Sequence, residues 1–374
     1  MNAHQALSTW AEVDLAAIEN NVRLTKAHTN VQVMAIVKAN AYGHGALPVA
    51  RAALRAGATW LSVARIEEAL ELRQAGLECP ILLLGYIPPA QVQPAIQNQF
   101  SITVWSQEQI EQAASIAARI GSKARLHLKV DTGMSRLGVQ PGTASGLASL
   151  LAHTPAVLFE GLFTHFARAD ETDPTTTDLQ ASRFLQVLKN LDELAIHPSL
   201  VHAANSAASL TRSSASFDMV RLGIAMYGLH PSAECPLPAD FRPALTWKTV
   251  LSQVKTLPAG RGVSYGHEYV TQKVQERIGT VPVGYADGFR RTSGNQALVG
   301  GCRVLVIGRV CMDQIMLQLD QVPEAKAGDE VVLIGFQGQE HLSAEQVARH
   351  WHTINYEVTC GIGSRVPRLY LNSD

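Results

Sequence analysis

Short apolar, β-branched runs alternate along the first two thirds of the chain with stretches whose apolar residues recur at helical spacing. The runs are Val31–Val37, Thr59–Val63, Ile81–Leu84, Ser101–Val104, Ala124–Val130, Val157–Thr164, Ser199–His202 and Asp218–Leu222. Between most of them lie helical patterns such as Leu47–Ala56, Ile66–Ala75, Gln107–Ile120 and Asp178–Leu194. Regular strand–helix alternation predicts a parallel sheet covered by helices, and eight such units match a closed (β/α)8 barrel. A doubly wound open sheet competes, but no GxGxxG follows the first strand. Upstream, Leu15, Ile18 and Val22 repeat at helical spacing behind a candidate N-cap, Asp14, predicting that the stretch Trp10–Asn21 starts a helix.

The pattern changes after Leu229. The stretch from His230 to Pro243 is proline-rich and reads as a linker. Beyond it, short strand-like runs (Ala244–Thr256, Arg277–Val283, Gln296–Val299, Arg303–Ile307, Gln314–Gln318 and Glu330–Ile334) are separated by glycines. One helix, Ser343–His350, interrupts them, with Ser343 and Gln346 spaced as a capping box. The expected organisation is a barrel over residues 1–235 and a mostly β domain over 236–374.

Composition narrows the function classes. Lys and Arg number 31 against 32 Asp and Glu, which argues against a general nucleic-acid or anionic-membrane surface. No apolar run reaches the ~18–20 residues of a membrane span. The N-terminus lacks a basic segment followed by an apolar one, so no leader is expected. Cys79, Cys235, Cys302, Cys311 and Cys360 are scattered without a CxxC, which argues against a metal site or disulfide framework and fits a reducing cytoplasm.

Polar residues gather where the predicted strands end. Lys38 ends the first. Lys129 and Asp131, then Thr164 and His165, then His202, Asn205 and Ser206, and finally Arg221 with Gly223 and Ile224 end later ones. In a barrel these ends form one rim, where active sites lie. A partly desolvated lysine there can form a Schiff base with an aldehyde, although a solvated lysine is the plainer reading of Lys38 alone. Asn205-Ser206 and Gly223-Ile224 occupy the loops where barrels often hold a phosphate; simple helix capping is the competing reading.

These stretches resemble the successive motifs of alanine racemases. AIVKANAYGHG around Lys38 is similar to the family's cofactor-lysine motif. HLKVDTGMSRLG, THF, HAANSAA and MVRLGIAMYG follow in order, then VSYGH around Tyr265, VGYADG, GRVCMD, and INYE with RVPR. The resemblance runs from Trp10 to about Arg368. It implies a pyridoxal 5'-phosphate (PLP) enzyme in which Lys38 carries the cofactor as a Schiff base and acts as one base. Tyr265, from the partner subunit of a homodimer, would be the opposite base. Tyr42, Ser206, Gly223, Ile224 and Tyr356 would hold the phosphate, with Asn205 nearby. Arg221 would face the pyridine nitrogen with His165 as its partner. Arg136 and the Met312 backbone would bind the substrate carboxylate. Lys129 matches a position often carbamylated in the family. Asp170, Tyr285 and Arg309 would line the substrate access channel. The implied role is supply of D-alanine for peptidoglycan. A broad-specificity racemase, a PLP-binding protein without turnover and a decarboxylase are the alternatives. The last would need a differently placed cysteine motif, and the second would lack the domain bearing Tyr265.

Overall fold

The computed structural model describes residues 7–372; residues 1–6 of the N-terminal stretch read for a leader lie outside the described residues. The chain forms two compact units. One comprises Ala17–Ala41 and Ala46–Arg242; the other comprises the described residues up to Ala16, Tyr42–Gly45, and the chain from Pro243 on.

Strand β1 (Thr9–Asp14) belongs to the second unit. The first unit holds β2 (Gln32–Ile36), β3 (Trp60–Val63), β4 (Ile81–Leu83), β5 (Ser101–Val104), β6 (Ala124–Lys129), β7 (Val157–Phe163), β8 (Leu200–His202) and β9 (Met219–Leu222). All eight are parallel, in the order β8-β7-β6-β5-β4-β3-β2-β9. Asp218 N–H donates to Val201 O (3.1 Å) and Arg221 N–H to Ala204 O (3.0 Å), closing the gap between β8 and β9. The predicted (β/α)8 barrel is the fold observed. Its strands are apolar on both faces because helices cover the outside and packed side chains fill the inside: every residue of β3, β4, β5 and β9 is buried. The helix Gln107–Arg119 shows how the cover is made. Ser106 caps it by accepting from Gln109 N–H (3.3 Å), and Ile110, Ala113 and Ala117 form its buried stripe. Burying a side chain such as Ile110 contributes about 1.5–3 kcal/mol.

The second unit is mostly β, as predicted, and carries a mixed ten-stranded sheet. The sequence reading needs correction at Trp10–Asp14, which is strand rather than helix. β1 pairs antiparallel with Leu245–Val250 and parallel with Arg368–Leu371. The helix begins at Leu15, and Asp14 Oδ1 accepts from Ala16 N–H (3.0 Å), so Asp14 marks its start as expected. The run Ala244–Thr256 is two strands, Leu245–Val250 and Gln253–Leu257. The Ser343 capping box is present, but a second helix, Asn355–Cys360, follows it.

Candidate active site

Lys38 follows β2 by two residues and is half-buried. The backbone beyond it is unusual. Ala39, Asn40, Ala41 and Tyr42 all have φ of 52–54°, a left-handed turn built without glycine. Each such residue costs about 1–2 kcal/mol relative to a right-handed one, so the surroundings must impose it. They do so with hydrogen bonds: Ala39 N–H to Glu68 Oε1 (2.5 Å), Ala41 N–H to Val37 O (2.9 Å), and Ala46 N–H to Asn40 Oδ1 (2.8 Å). Glu68 also accepts from Ala64 and Arg65 N–H through Oε2, which fixes the carboxylate that fixes the turn. The result is a rigid mount for the residue that starts it, Lys38.

The barrel's cations collect around Lys129 at the end of β6. Burial, then the charges of Arg221, Arg136 and Lys38, pull the Lys129 ammonium down to about 8, against a smaller opposing pull from Asp131. The same groups act on His165: burial, Arg221, Lys129, Arg136 and Lys38 all hold it well below its ordinary value, so its ring is neutral. Arg136 is exposed and makes no ion pair among the described residues. An uncommitted guanidinium beside other cations suits a carboxylate.

Arg221, on β9, is buried and pinned on one side. Nη1–H groups donate to His202 Nδ1 (2.9 Å) and His202 O (3.1 Å); Nη2–H groups donate to Thr164 O (2.8 Å), Ala203 O (2.8 Å) and His165 Nδ1 (3.1 Å). Burial lowers Arg221 to about 9, so it stays protonated at neutral pH. Among the described residues none accepts from its Nε–H, which remains the donor available to a ligand atom. The expected Arg221–His165 pair is present; His202, given no role from the sequence, is an equal partner.

Beside Arg221, Ser206 Oγ accepts from Gly223 N–H (2.9 Å) and Ala225 N–H (3.4 Å), joining the loops after β8 and β9. Asn205 caps the short helix Ser206–Thr211, its side chain accepting from Ala208 N–H (3.0 Å). The capping reading therefore holds for Asn205, while Ser206 brings a hydroxyl against the backbone donors of the next loop. A hydroxyl with several N–H groups is the donor chemistry a phosphate dianion takes.

The second unit brings together its own set. Tyr42 and Tyr356 have ring centroids 5.9 Å apart. Burial, with the Cys360 thiol, raises the Tyr42 phenol, which keeps it a neutral donor. Gly43, at φ 84°, sits where a Cβ would lie 2.1 Å from Thr359 O, so only glycine lets this loop meet the helix carrying Tyr356. Arg368 Nε–H donates to Gly43 O (3.0 Å), tying the loop to the last strand. Tyr265 lies on a tight turn between Ser264 (φ 64°) and Gly266 (φ 72°) and is 69% exposed; Met312 and Tyr285 are exposed too. Arg309 forms an ion pair with Glu268. Asp170 stands on the barrel, its carbonyl accepting from Ser232 Oγ (2.6 Å).

The pattern that defines the alanine racemase N-terminal domain matches residues 13–231, and that of the C-terminal domain matches residues 244–370. The chain belongs to the alanine racemase family. It is thus an amino-acid racemase, an isomerase. Alanine racemase of Halothermothrix orenii is 44% identical over 376 residues, covering 100% of this chain and 99% of that protein. Alanine racemase 1 of Bacillus subtilis is 46% identical over 376 residues, covering 98% and 93%. Among solved structures, the alanine racemase of Clostridium difficile 630 superposes with a TM-score of 0.94 at 38% identity, over 99% of this chain and 97% of that one. The Bacillus anthracis alanine racemase, solved with bound L-Ala-P, gives 0.91 at 43% identity over 98% and 96%.

Family motifs include residues that strand-end reasoning passed over. His127 and Lys129 lie two apart on β6 and therefore share a face, a signal available in the sequence. Glu160 and Glu68 carry no such signal.

Proposed function

We propose that the protein is a PLP-dependent alanine racemase that interconverts L- and D-alanine, works as a cytoplasmic homodimer with shared sites, and supplies D-alanine for peptidoglycan. One observation carries the reading: the charges of Lys38, Arg136 and Arg221 all reach Lys129 and His165 at the barrel rim, and Arg221 keeps one N–H uncommitted. The donor set fits PLP. Lys38 would hold the aldehyde carbon, Arg221 would face the ring nitrogen with His165 behind it, and Ser206, Gly223, Ile224, Tyr42 and Tyr356 would hold the phosphate, with Asn205 nearby. When bound, PLP supplies an electron sink for loss of the α-proton. Arg136 and the Met312 backbone would receive the substrate carboxylate. Asp170, Tyr285 and Arg309 would line its approach.

Inverting the α-carbon requires removing a proton from one face and delivering one to the other. Lys38, on the barrel, and Tyr265, on the β domain of the partner subunit, are the two groups proposed to move it. Protonated Arg221 cannot accept a proton from the ring nitrogen, so it disfavours positive charge there. Addition of PLP to the purified protein should produce D-alanine from L-alanine; no product at saturating PLP would defeat the proposal. The exposure of Tyr265, Met312 and Tyr285 in a single chain supports a covering partner. Specific activity should fall on dilution as dimer dissociates, and constant activity down to a demonstrated monomer excludes shared sites.

Lys129 adds a prediction with a definite pH sign. With the amine at about 8, roughly one in ten molecules is neutral at pH 7, against about one in several thousand at the ordinary lysine value. The neutral amine attacks CO2, releases a proton and becomes a carbamate, an anion that Arg136 and Arg221 would stabilise. Carbamate should therefore accumulate near and above pH 8 and disappear as the amine protonates on acidification. Carbon-13 NMR with labelled bicarbonate reads this directly; absence of a carbamate resonance at pH 9 defeats it.

A further inference from the structure

A chain of hydrogen bonds leaves Arg221 and runs down the barrel interior. Arg221 Nη1 is 2.9 Å from His202 Nδ1, His202 Nε2 is 3.1 Å from His127 Nδ1, and His127 Nε2 is 3.2 Å from Glu160 Oε2. Glu160 also accepts from the Ser101 hydroxyl, and its Oε1 is 3.6 Å from Arg125 Nε. His127, His202 and Ser101 are fully buried and Glu160 nearly so. Packing fixes the two rings. His202 stacks on Phe163 at 4.7 Å, Trp60 meets His127 edge-on at 5.6 Å, and a Cβ on Gly161 would lie 2.2 Å from His127 Nδ1. The register of β6 against β7 shifts between Leu126 and His127, the irregularity that accompanies this placement.

The two ends of the chain determine every proton in it. Arginine has only donors, so His202 Nδ1 must accept. An ionised carboxylate has only acceptors, so His127 Nε2 must carry hydrogen. His202, accepting at Nδ1, carries its hydrogen on Nε2 and donates it to His127 Nδ1. Both rings are then neutral Nε2–H tautomers, and the polarity runs one way, from the guanidinium to the carboxylate. Burial, with the Arg221 charge, holds His202 well below its ordinary value, which keeps that ring neutral. Burial alone would raise Glu160, but His127, Ser101 and Arg125 together bring it below the usual carboxylate range.

We propose that Glu160 and His127 are positioning residues that act through His202 to fix the hydrogen-bonding arrangement of Arg221, leaving Nε–H as its one uncommitted donor. Reversing the chain would set an imidazole N–H against a guanidinium N–H and push Arg221 out of place. The consequence for the cofactor rests on the proposed function; the proton arrangement does not.

Neutron diffraction from deuterium-exchanged crystals of the wild-type protein with PLP tests the arrangement without any variant. Deuterium on Nε2 of both His127 and His202, with both Nδ1 atoms bare, is the expected result. Deuterium on either Nδ1 overturns the proposal. The positioning role is read from Glu160→Gln and, as a milder change, Ser101→Ala. PLP affinity should fall about tenfold in Glu160→Gln, the scale of one charge-assisted hydrogen bond. The visible band of the bound cofactor should shift, with a smaller change in the same direction in Ser101→Ala. A lowered melting temperature with unchanged band and affinity would make the chain merely structural and overturn the role. If wild-type protein binds no PLP, the proposed function and the positioning role fall, while the neutron result still decides the proton arrangement.

Discussion

Lys38→Ala should eliminate alanine racemisation, with a fall of at least about 10³-fold expected because the same amine is proposed to hold the cofactor and move a proton. The loss should be chemical rather than structural. Lys38 is half-buried, and hydrogen bonds involving Glu68, Val37 and Ala46 hold the left-handed turn after it. The variant should keep the wild-type melting temperature within the few degrees that a half-buried truncation allows. Borohydride treatment followed by peptide mapping should find the reduced cofactor on Lys38 in the wild type and on no residue of the variant. A variant that racemises at the wild-type rate would remove Lys38 from the chemistry.

Tyr265→Phe produces a different signature, and its asymmetry is the informative part. Removal of one hydroxyl from an exposed ring on a tight turn should leave stability within about 0.5 kcal/mol. Racemisation should fall about 10²–10⁴-fold, the range for a missing acid–base group. In deuterated solvent one enantiomer should still exchange its α-proton, because on the proposed two-base scheme Lys38 would continue to serve its own face. The other enantiomer should exchange far more slowly. Equal losses for both enantiomers would place the second base elsewhere.

The barrel was legible because it is a local pattern repeated eight times, with buried strands and striped helices. The positions of the rim residues were legible for the same reason, since a strand end marks the place where a polar residue reaches the barrel rim. Long-range pairings were not legible. β1 is a strand because Leu245–Val250 and Arg368–Leu371 flank it, more than 200 residues away in sequence, and its own composition passes for the first turn of a helix. Asn355–Cys360 is too short for a helical period to appear. The turn after Lys38 is left-handed in Ala-Asn-Ala-Tyr, residues that advertise no such conformation; Glu68, 29 residues downstream of Ala39, helps impose it. His127 and Glu160 meet because β6 and β7 pair in parallel 33 residues apart, across a register irregularity at His127, and neither the pairing nor the irregularity is encoded by a single-strand pattern.

The most direct test of the central claim is conversion of L-alanine by the PLP-loaded wild-type protein in deuterated water, with the products separated by chirality and weighed. The account predicts D-alanine carrying solvent deuterium at the α-carbon, accumulating until the enantiomers are equal, and none with Lys38→Ala. D-alanine that retains the original α-hydrogen would contradict proton exchange between two bases. Failure to form any D-alanine, with PLP bound at Lys38, would contradict alanine racemisation itself.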